Sequence, residues 1–279
     1  MNLKEALAKK LSKKQLSLLH RSFDVIGSIA IIDIPPELKK KEKIIANTLL
    51  GFNNLKTVLK KSGKVKGRLR TRELVWVAGK KTKETIHKES GVRLKLNVEN
   101  CYYSPRLSTD RLEVARQVKK GERILVMFSG VGPAPIVIAK NSKAKEVYGI
   151  ELGRIPAKYA KENVKLNKLE NTYLIQGDVK RIIPKLVKKK LKFDRIVMTR
   201  PNLEETFLTD AFKVAKKGTV INMHDFLDDK DIPQAGLKKI EEALKKTKTK
   251  IKRYRLIRWK KAGNIAPRRF RIRLDFVVS

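Results

Sequence analysis

Apolar and polar positions along residues 108–279 follow a pattern of strands separated by helices. Short apolar and β-branched runs predict strands near residues 123–128, 146–151, 172–176, 193–198 and 218–222. Amphipathic stretches predict helices at 108–118, 133–140, 155–167 and 203–216. Two more runs, at 250–259 and 270–278, predict a terminal hairpin. Because alternating strands and helices build a doubly wound parallel sheet, we predict a Rossmann-like α/β domain.

Residues 1–107 show a different, strand-rich α+β pattern. Leucines near a helical period among lysines predict a basic amphipathic helix over residues 2–19, which could pack on the protein or contact RNA. Strands are predicted at 24–34, 68–78 and 92–97, and Pro35-Pro36-Glu37 predicts the start of a helix that reaches about Leu50. We therefore predict a basic helical extension at 1–21, a smaller α+β domain at 22–107 and the Rossmann-like domain at 108–279.

Charge points to the class of partner. The 279 residues carry a formal net charge of +39, from 67 lysines and arginines against 28 acids. Such an excess predicts attraction to a polyanion, RNA or DNA. A lysine-rich proteome is the alternative explanation of the charge, but heat-adapted chains usually balance lysine with glutamate. The basic run at 187–190 is expected to be a solvated loop.

Cysteine and histidine usage narrows the chemistry. A single cysteine, Cys101, excludes an internal disulfide and a cysteine-based zinc cluster. His20, His87 and His224 show no metal-ligand spacing, so no metal is expected. No apolar run approaches the roughly 20 residues that span a bilayer, so we expect a cytoplasmic protein without a membrane partner.

The segment from residue 123 to Glu151 carries the clearest chemical signal. A predicted strand ends at Phe128 and runs into Ser129-Gly130-Val131-Gly132-Pro133, and Glu151 ends the next predicted strand. Glycines let a strand turn sharply into a helix with only backbone facing a ligand, and an acid about 20 residues later can accept hydrogen bonds from a ribose diol. The pattern indicates a nucleoside cofactor, with a plain tight turn as the alternative.

Two prolines favour one kind of cofactor. Pro135 replaces the third glycine of the dinucleotide fingerprint, and Pro133 removes an amide donor where a helix would begin. A pyrophosphate would lose hydrogen-bond partners there. S-adenosylmethionine has a ribose and an adenine but no phosphate, so we predict a class I methyltransferase that binds S-adenosylmethionine.

Five ordered motifs connect the chain to a family. They are the segments 22–27, 70–74 with Ala78-Gly79, 85–91, 102–107 and 127–133. Together they closely resemble the archaeal and eukaryotic tRNA (guanine37-N1)-methyltransferases, from about residue 20 to the end of the chain. The resemblance does not cover the small N-terminal domain by which many members contact the tRNA elbow.

The resemblance implies methyl transfer from S-adenosylmethionine to N1 of guanosine 37 in the tRNA anticodon stem-loop, by a monomer. N1 carries a proton, so a base must take it, and a cation near O6 can stabilise the negative charge that develops. By matching motifs, Arg70 falls on the family's stabilising arginine and Asp110 on its proposed general base. The residues implied for cofactor binding are Tyr103, Arg106, Phe128, Gly130, Gly132, Glu151, Asp178, Thr199 and Pro201.

Three sites depart from the family pattern. Asp110 stands where the family has glutamate, Val126 where an acid usually precedes the glycines, and Thr199-Arg200-Pro201 where the family has Asn-Leu-Pro. Displacing a catalytic carboxylate by about 1 Å can cost roughly 100-fold in rate. Two alternatives therefore stay open: a tRNA-binding paralogue with impaired catalysis, and a wyosine-pathway enzyme that transfers a methyl or aminocarboxypropyl group from the same cofactor.

Overall fold

A computed structural model of the protein describes residues 2–20, 22–52, 54–67, 69–200 and 206–279. The chain divides into two compact units. Unit 1 comprises residues 1–88 and 93–105, and unit 2 comprises residues 89–92 and 106–279.

Unit 1 is an α+β domain. Its helices are α1 (Leu3–Leu7), α2 (Lys13–Leu18) and α3 (Glu42–Leu50), and a 3-10 helix spans Pro36–Lys41. One sheet has the strand order β1 (Asp24–Ile26), β2 (Ile29–Ile32), β3 (Thr57–Lys66) and β4 (Thr71–Gly79). A second sheet pairs β5 (Glu84–Glu89) with β6 (Val92–Asn97).

The helix predicted over residues 2–19 is wrong, because the chain forms α1 and α2 instead. Asn2 and Ser12 each open a helix through a capping box, in which the cap side chain and the third helical residue exchange hydrogen bonds. Leu3 and Leu7 are buried in the same apolar cluster as Ile45. The extension therefore contributes to the core of unit 1.

Unit 2 is a three-layer α/β domain. Its helices are α4 (Ser108–Gln117), α5 (Pro133–Asn141), α6 (Arg154–Leu166), α7 (Val179–Lys188), α8 (Leu208–Val214) and α9 (Gln234–Lys246). Its strands are β7 (Arg123–Met127), β8 (Glu146–Glu151), β9 (Thr172–Gln176), β10 (Phe193–Met198), β11 (Ala215–Asp228), β12 (Tyr254–Ala266) and β13 (Arg269–Val278). The sheet order is β12-β13-β11-β10-β7-β8-β9.

The sheet is mixed, whereas the alternating pattern alone predicts a parallel one. β7 to β11 are parallel, and β13 lies antiparallel between β11 and β12.

The predicted loop at 187–190 is partly wrong, because α7 continues to Lys188. Four apolar residues of α7 are buried, and its lysines cover the exposed face, so a basic run is compatible with a helix. The helix predicted over 203–216 begins at Leu208 and ends at Val214, and residues 203–205 of that prediction lie outside the described residues.

The parallel strands place several loops at one edge of the sheet. β7, β8 and β10 end there at Met127, Glu151 and Met198. We call this the carboxyl edge. Ligands of open α/β sheets bind at this edge, which therefore positions the candidate site.

Candidate active site

The glycine loop between β7 and α5 turns sharply, as its sequence predicts. Phe128, Gly130 and Gly132 all have positive φ, at 64°, 58° and 89°. Gly132 begins α5 in the left-handed conformation, and a Cβ atom there would lie 3.0 Å from Cδ1 of Ile136. A residue larger than glycine at position 132 would therefore be strained in two ways.

Glu151 is attached to the glycine loop by hydrogen bonds. Its Oε2 accepts the N–H of Gly130 at 2.8 Å, and its Oε1 accepts the N–H of Gly153 at 2.7 Å. Burial raises the pKa of this carboxyl, although the two N–H groups and the charge of Arg200 oppose the rise. A carboxylate has about four lone-pair sites, so Glu151 retains acceptor capacity for the hydroxyls of a ribose.

The loop after β10 is held against the glycine loop. The Thr199 hydroxyl donates to the carbonyl oxygen of Phe128 at 2.7 Å. The Phe128 ring in turn meets the Phe207 ring edge to face, with centroids 5.2 Å apart. Thr199 thus connects the loop after β10 to the glycine loop. Pro201, which was predicted beside it, lies outside the described residues.

Asp178 lies at the N-terminus of α7. Its side chain accepts the N–H of Lys180 at 2.9 Å and caps the helix. One carboxylate oxygen is therefore used for capping, which stabilises helices by about 1 kcal/mol.

Arg106 is exposed in a 3-10 helix at Pro105–Leu107.

Asp110 is enclosed by cationic side chains. This residue of α4 is 6% exposed; its Oδ2 lies 2.8 Å from Nε2 of His224, and its Oδ1 accepts from Nη1 of Arg273. Burial alone would raise the pKa of Asp110, but His224 and Arg273 outweigh burial and hold the pKa well below its ordinary value. The carboxylate is therefore ionised at neutral pH, yet both of its oxygens are engaged.

Hydrogen-bond directions constrain the protons of His224. Its Nδ1 lies 3.2 Å from the carbonyl oxygen of Met198, which can only accept, so Nδ1 carries hydrogen. Nε2 faces Asp110 at 2.8 Å, and a bare nitrogen facing a carboxylate oxygen would be repelled. The facing atoms of His224 and Asp110 therefore share a proton.

Arg273 connects Asp110 to further acids. Its side chain is fully buried; Nε donates to Asp275 at 2.9 Å, and Nη2 donates to Glu113 at 3.2 Å. Asn222 donates to the same oxygen of Asp275, Oδ1, at 2.6 Å. The roles of His224 and Arg273 were not predicted from the sequence. Polar residues alternate with apolar ones in both strands, with Asn222 and His224 in β11 and Arg273 and Asp275 in β13. This alternation is the signal that could have indicated them.

Two predicted site residues lie in unit 1. Arg70 has φ 55°, and its guanidinium carbon lies 4.8 Å above the centre of the Tyr102 ring. Tyr103 is buried, with its ring centroid 5.1 Å from that of His87. Nδ1 of His87 accepts the N–H of Gly27 at 3.1 Å, so His87 helps to order this unit.

The sheet and its glycine loop define the class of protein. A doubly wound sheet that has an antiparallel β13 beside β11, with a glycine loop and a buried carboxylate at the carboxyl edge, is a class I methyltransferase domain. A family model described as the TRM5/TYW2 methyltransferase domain matches residues 85–252, and one described as the TYW2 N-terminal domain matches residues 3–82. The chain belongs to the TRM5/TYW2 methyltransferase family, which confirms the resemblance seen in the five motifs.

Individual relatives agree with this family. The chain is 40% identical over 264 residues to "tRNA (guanine(37)-N(1))-methyltransferase Trm5b" of Pyrococcus abyssi, covering 94% of this chain and 76% of the relative. The crystal structure of that protein has a TM-score of 0.84, 38% identity, and coverage of 96% and 78% of the two chains. The chain is also 32% identical to "tRNA (guanine(37)-N(1))/4-demethylwyosine(37)-methyltransferase Taw22" of Nanoarchaeum equitans, covering 91% of this chain and 98% of the relative.

A solved complex supplies a third comparison. The structure described as the complex of aTrm5 and tRNALeu has a TM-score of 0.85 and 29% identity, covering 100% of this chain and 78% of that chain. Within the described residues, no group of three or more histidine, cysteine, aspartate or glutamate side chains is placed to hold a metal ion. In the same part of the chain, no helix combines the length and apolarity that crossing a membrane requires.

Proposed function

We propose that this protein transfers a methyl group from S-adenosylmethionine to N1 of guanosine 37 in the anticodon stem-loop of tRNA. The observation that carries the proposal is the carboxylate of Glu151, bound to the amide of Gly130 at the carboxyl edge, in a chain 40% identical to P. abyssi Trm5b. A cytoplasmic location and a monomeric state, both expected from the sequence, are part of the same proposal.

The residues of the glycine loop fit S-adenosylmethionine. Glu151 has spare acceptor sites for both ribose hydroxyls, and the loop carries glycine at positions 130 and 132, so it presents backbone there. Phe128 supplies an apolar wall, and Asp178 lies at the N-terminus of α7, which it caps. The cofactor, when bound, supplies an electrophilic methyl group on a sulfonium.

Asp110 and Arg70 are the proposed proton acceptor and charge stabiliser. Asp110 is ionised, which is the form that can accept the N1 proton, and both of its oxygens are already engaged by His224 and Arg273. Arg70 would stabilise the negative charge on O6. Because the pKa of Asp110 is far below its ordinary value, we expect a weak base and slow turnover.

Two other functions compete with this proposal. The engagement of both Asp110 oxygens by His224 and Arg273 favours a paralogue that binds tRNA but catalyses poorly. The similarity to N. equitans Taw22, whose name covers both guanine and 4-demethylwyosine, favours a wyosine-pathway substrate.

One experiment separates the three functions. Purified protein is incubated with tRNA carrying guanosine or 4-demethylwyosine at position 37, and with S-adenosylmethionine labelled in either the methyl or the aminocarboxypropyl group. Methyl label in 1-methylguanosine supports the proposal. Label only on the wyosine base, or no label despite tight tRNA binding, would replace it with one of the two alternatives.

A further inference from the structure

Three strands of unit 2 continue past the carboxyl edge. The pairing of β10 with β11 ends at Met198 and Met223, whereas β11 pairs with β13 as far as Asp228 and Arg269. Five further residues at roughly 3.3 Å each give an extension of about 16 Å. β12 forms the outer strand, and no strand among the described residues pairs with its other side. We call residues 252–273, from β12 and β13, the basic ribbon.

The basic ribbon is the most one-sided charged segment of the sheet. It contains ten lysines and arginines and no acid: Lys252, Arg253, Arg255, Arg258, Lys260, Lys261, Arg268, Arg269, Arg271 and Arg273. Several of these cations pair internally, for example Lys260 with Glu113 at 2.6 Å and Lys261 with Asp229 at 2.5 Å. Arg253, Arg255 and Arg268 are exposed, so positive charge remains on the outer surface.

Large apolar side chains are exposed among these cations. Ile257 is 49% exposed, Trp259 41% and Ile265 48%. Trp259 pairs with Leu274, which pairs in turn with Met223, so the indole lies level with the carboxyl end of β10. Arg268 lies beyond this level, in the turn between β12 and β13, whereas Arg255 pairs through Val277 and Val220 with Arg195 near the start of β10. The exposed cations of the basic ribbon therefore lie on both sides of Trp259 along the length of β12.

We infer that the basic ribbon binds a single-stranded segment of the tRNA, with Trp259 stacking on an unpaired base and the exposed arginines contacting phosphates. This combination of a cationic groove or edge with aromatic platforms is how proteins hold single-stranded nucleic acid. The inference rests on the proposed function and names a surface for its substrate. Apart from Lys252, the basic ribbon also lies outside residues 85–252, which the family domain matches.

Charge argues against the other occupants of this edge. A second copy of the chain pairing along β12 would bring its own cations against these cations, which is unfavourable. Lysines and bulges also protect edge strands from aggregation, and β12 has three register shifts against β13. Protection alone would not require an exposed indole, and a polyanion is complementary to every exposed charge on the segment.

The first test compares two variants of the full chain that lose equal charge. The ribbon variant carries Arg253→Gln, Arg255→Gln and Arg268→Gln. The control removes the same charge from exposed positions of α6 by substituting glutamine for Lys158, Lys161 and Lys165. Affinity for an unmodified tRNA transcript is measured between 50 and 200 mM salt. Loss of three phosphate contacts should lower the slope of log affinity against log salt by about 2 in the ribbon variant and not in the control.

The second test uses tryptophan emission, because the chain has two tryptophans, Trp76 and Trp259. Trp76→Phe leaves Trp259 as the reporter, and tRNA should quench it. Trp259→Ala should weaken tRNA binding by roughly 5- to 150-fold, the range for one stacked base, and Trp259→Phe should recover most of the loss.

Four outcomes would overturn the inference. Equal salt slopes in the ribbon and control variants would refute it, and so would unquenched Trp259 emission with unchanged affinity in Trp259→Ala. In both cases, methylation by the wild-type protein would still support the proposed function. A wild-type dimer that Trp259→Ala splits in sedimentation, with unchanged tRNA affinity, would assign the edge to self-association. A wild-type protein that does not bind tRNA would refute both the inference and the proposed function.

Discussion

Arg273 is the residue whose loss should damage unit 2 most. Its guanidinium is fully buried and bonds Asp110, Asp275 and Glu113. Arg273→Met would leave Asp275 as a buried carboxylate without its main counter-charge, and Asp110 would keep only His224 of its two partners. Removing one partner of a buried ion pair costs about 3–5 kcal/mol, so we expect the free energy of unfolding to fall by that amount.

The assay is urea unfolding of the full chain, followed by far-UV circular dichroism at pH 7 and pH 4. Arg273 and its neighbours hold the pKa of Asp110 and Asp275 below the usual value, against the opposing effect of burial. In the wild type these carboxylates therefore stabilise the fold above about pH 4, the ordinary range of an aspartate, and this contribution is lost as the pH falls through their depressed pKa. In Arg273→Met, Asp275 loses the largest charge that opposes burial, so its pKa rises. Protonation of Asp275 then removes a buried charge, and the stability deficit of the variant should narrow toward pH 4.

A surface variant and a double variant control this prediction. Arg253→Met removes an exposed arginine and should change the unfolding free energy by no more than about 0.5 kcal/mol. Arg273→Met with Asp275→Asn should recover part of the loss, because one uncompensated charge is gone. If Arg273→Met lost under about 1 kcal/mol, or lost the same amount at both pH values, the argument from buried charge would be wrong.

Three further predictions concern the glycine loop and its neighbours. Glu151→Gln keeps the size of the side chain but turns its NH2 group toward one of the two backbone N–H donors. Calorimetry should therefore give S-adenosylmethionine a Kd about 10-fold higher or more, and the free energy of unfolding should fall by about 1–3 kcal/mol because one buried donor is left unpaired. Gly132→Ala places Cβ against Ile136 at positive φ and should lower the free energy of unfolding by about 1–3 kcal/mol in urea; an unchanged midpoint would contradict the strain. Asp178→Ala should cost about 1 kcal/mol through the lost cap, whereas Asp178→Asn should restore stability but not cofactor affinity, if the carboxylate also binds the cofactor.

Elements with local signals could be predicted from the sequence. The apolar, β-branched runs that form β8, β9 and β10 have the bounds expected of them. β10 is buried along almost its whole length, and strands buried on both faces read as continuous apolar runs. β3 and α9 were not predicted. Both carry lysines along their length, and in a chain with 67 lysines and arginines such faces resemble loops.

The candidate site also contains one contact that could be predicted from the sequence and another that could not. The hydrogen bond between Gly130 and Glu151 joins consecutive parallel strands of the sheet, so a loop motif and the end of the next strand were enough to anticipate it. The contact of Asp110 with His224 and Arg273 joins residues more than 100 positions apart. It depends on the register that places His224 opposite Arg273 across β11 and β13, and single-sequence patterns do not specify this register.

Asp110→Glu tests whether the site still accommodates the glutamate that the family has at this position. Both oxygens of Asp110 are held inside unit 2, by His224 and Arg273, at a position that is 6% exposed. An extra methylene must fit into this packed space, which typically costs about 1–3 kcal/mol, and it would move the carboxylate away from at least one partner. We therefore expect lower stability in urea and no gain in the rate of 1-methylguanosine formation. A clear rate increase without loss of stability would show that the surroundings of Asp110 still accommodate the family's glutamate, and that the aspartate alone limits the reaction.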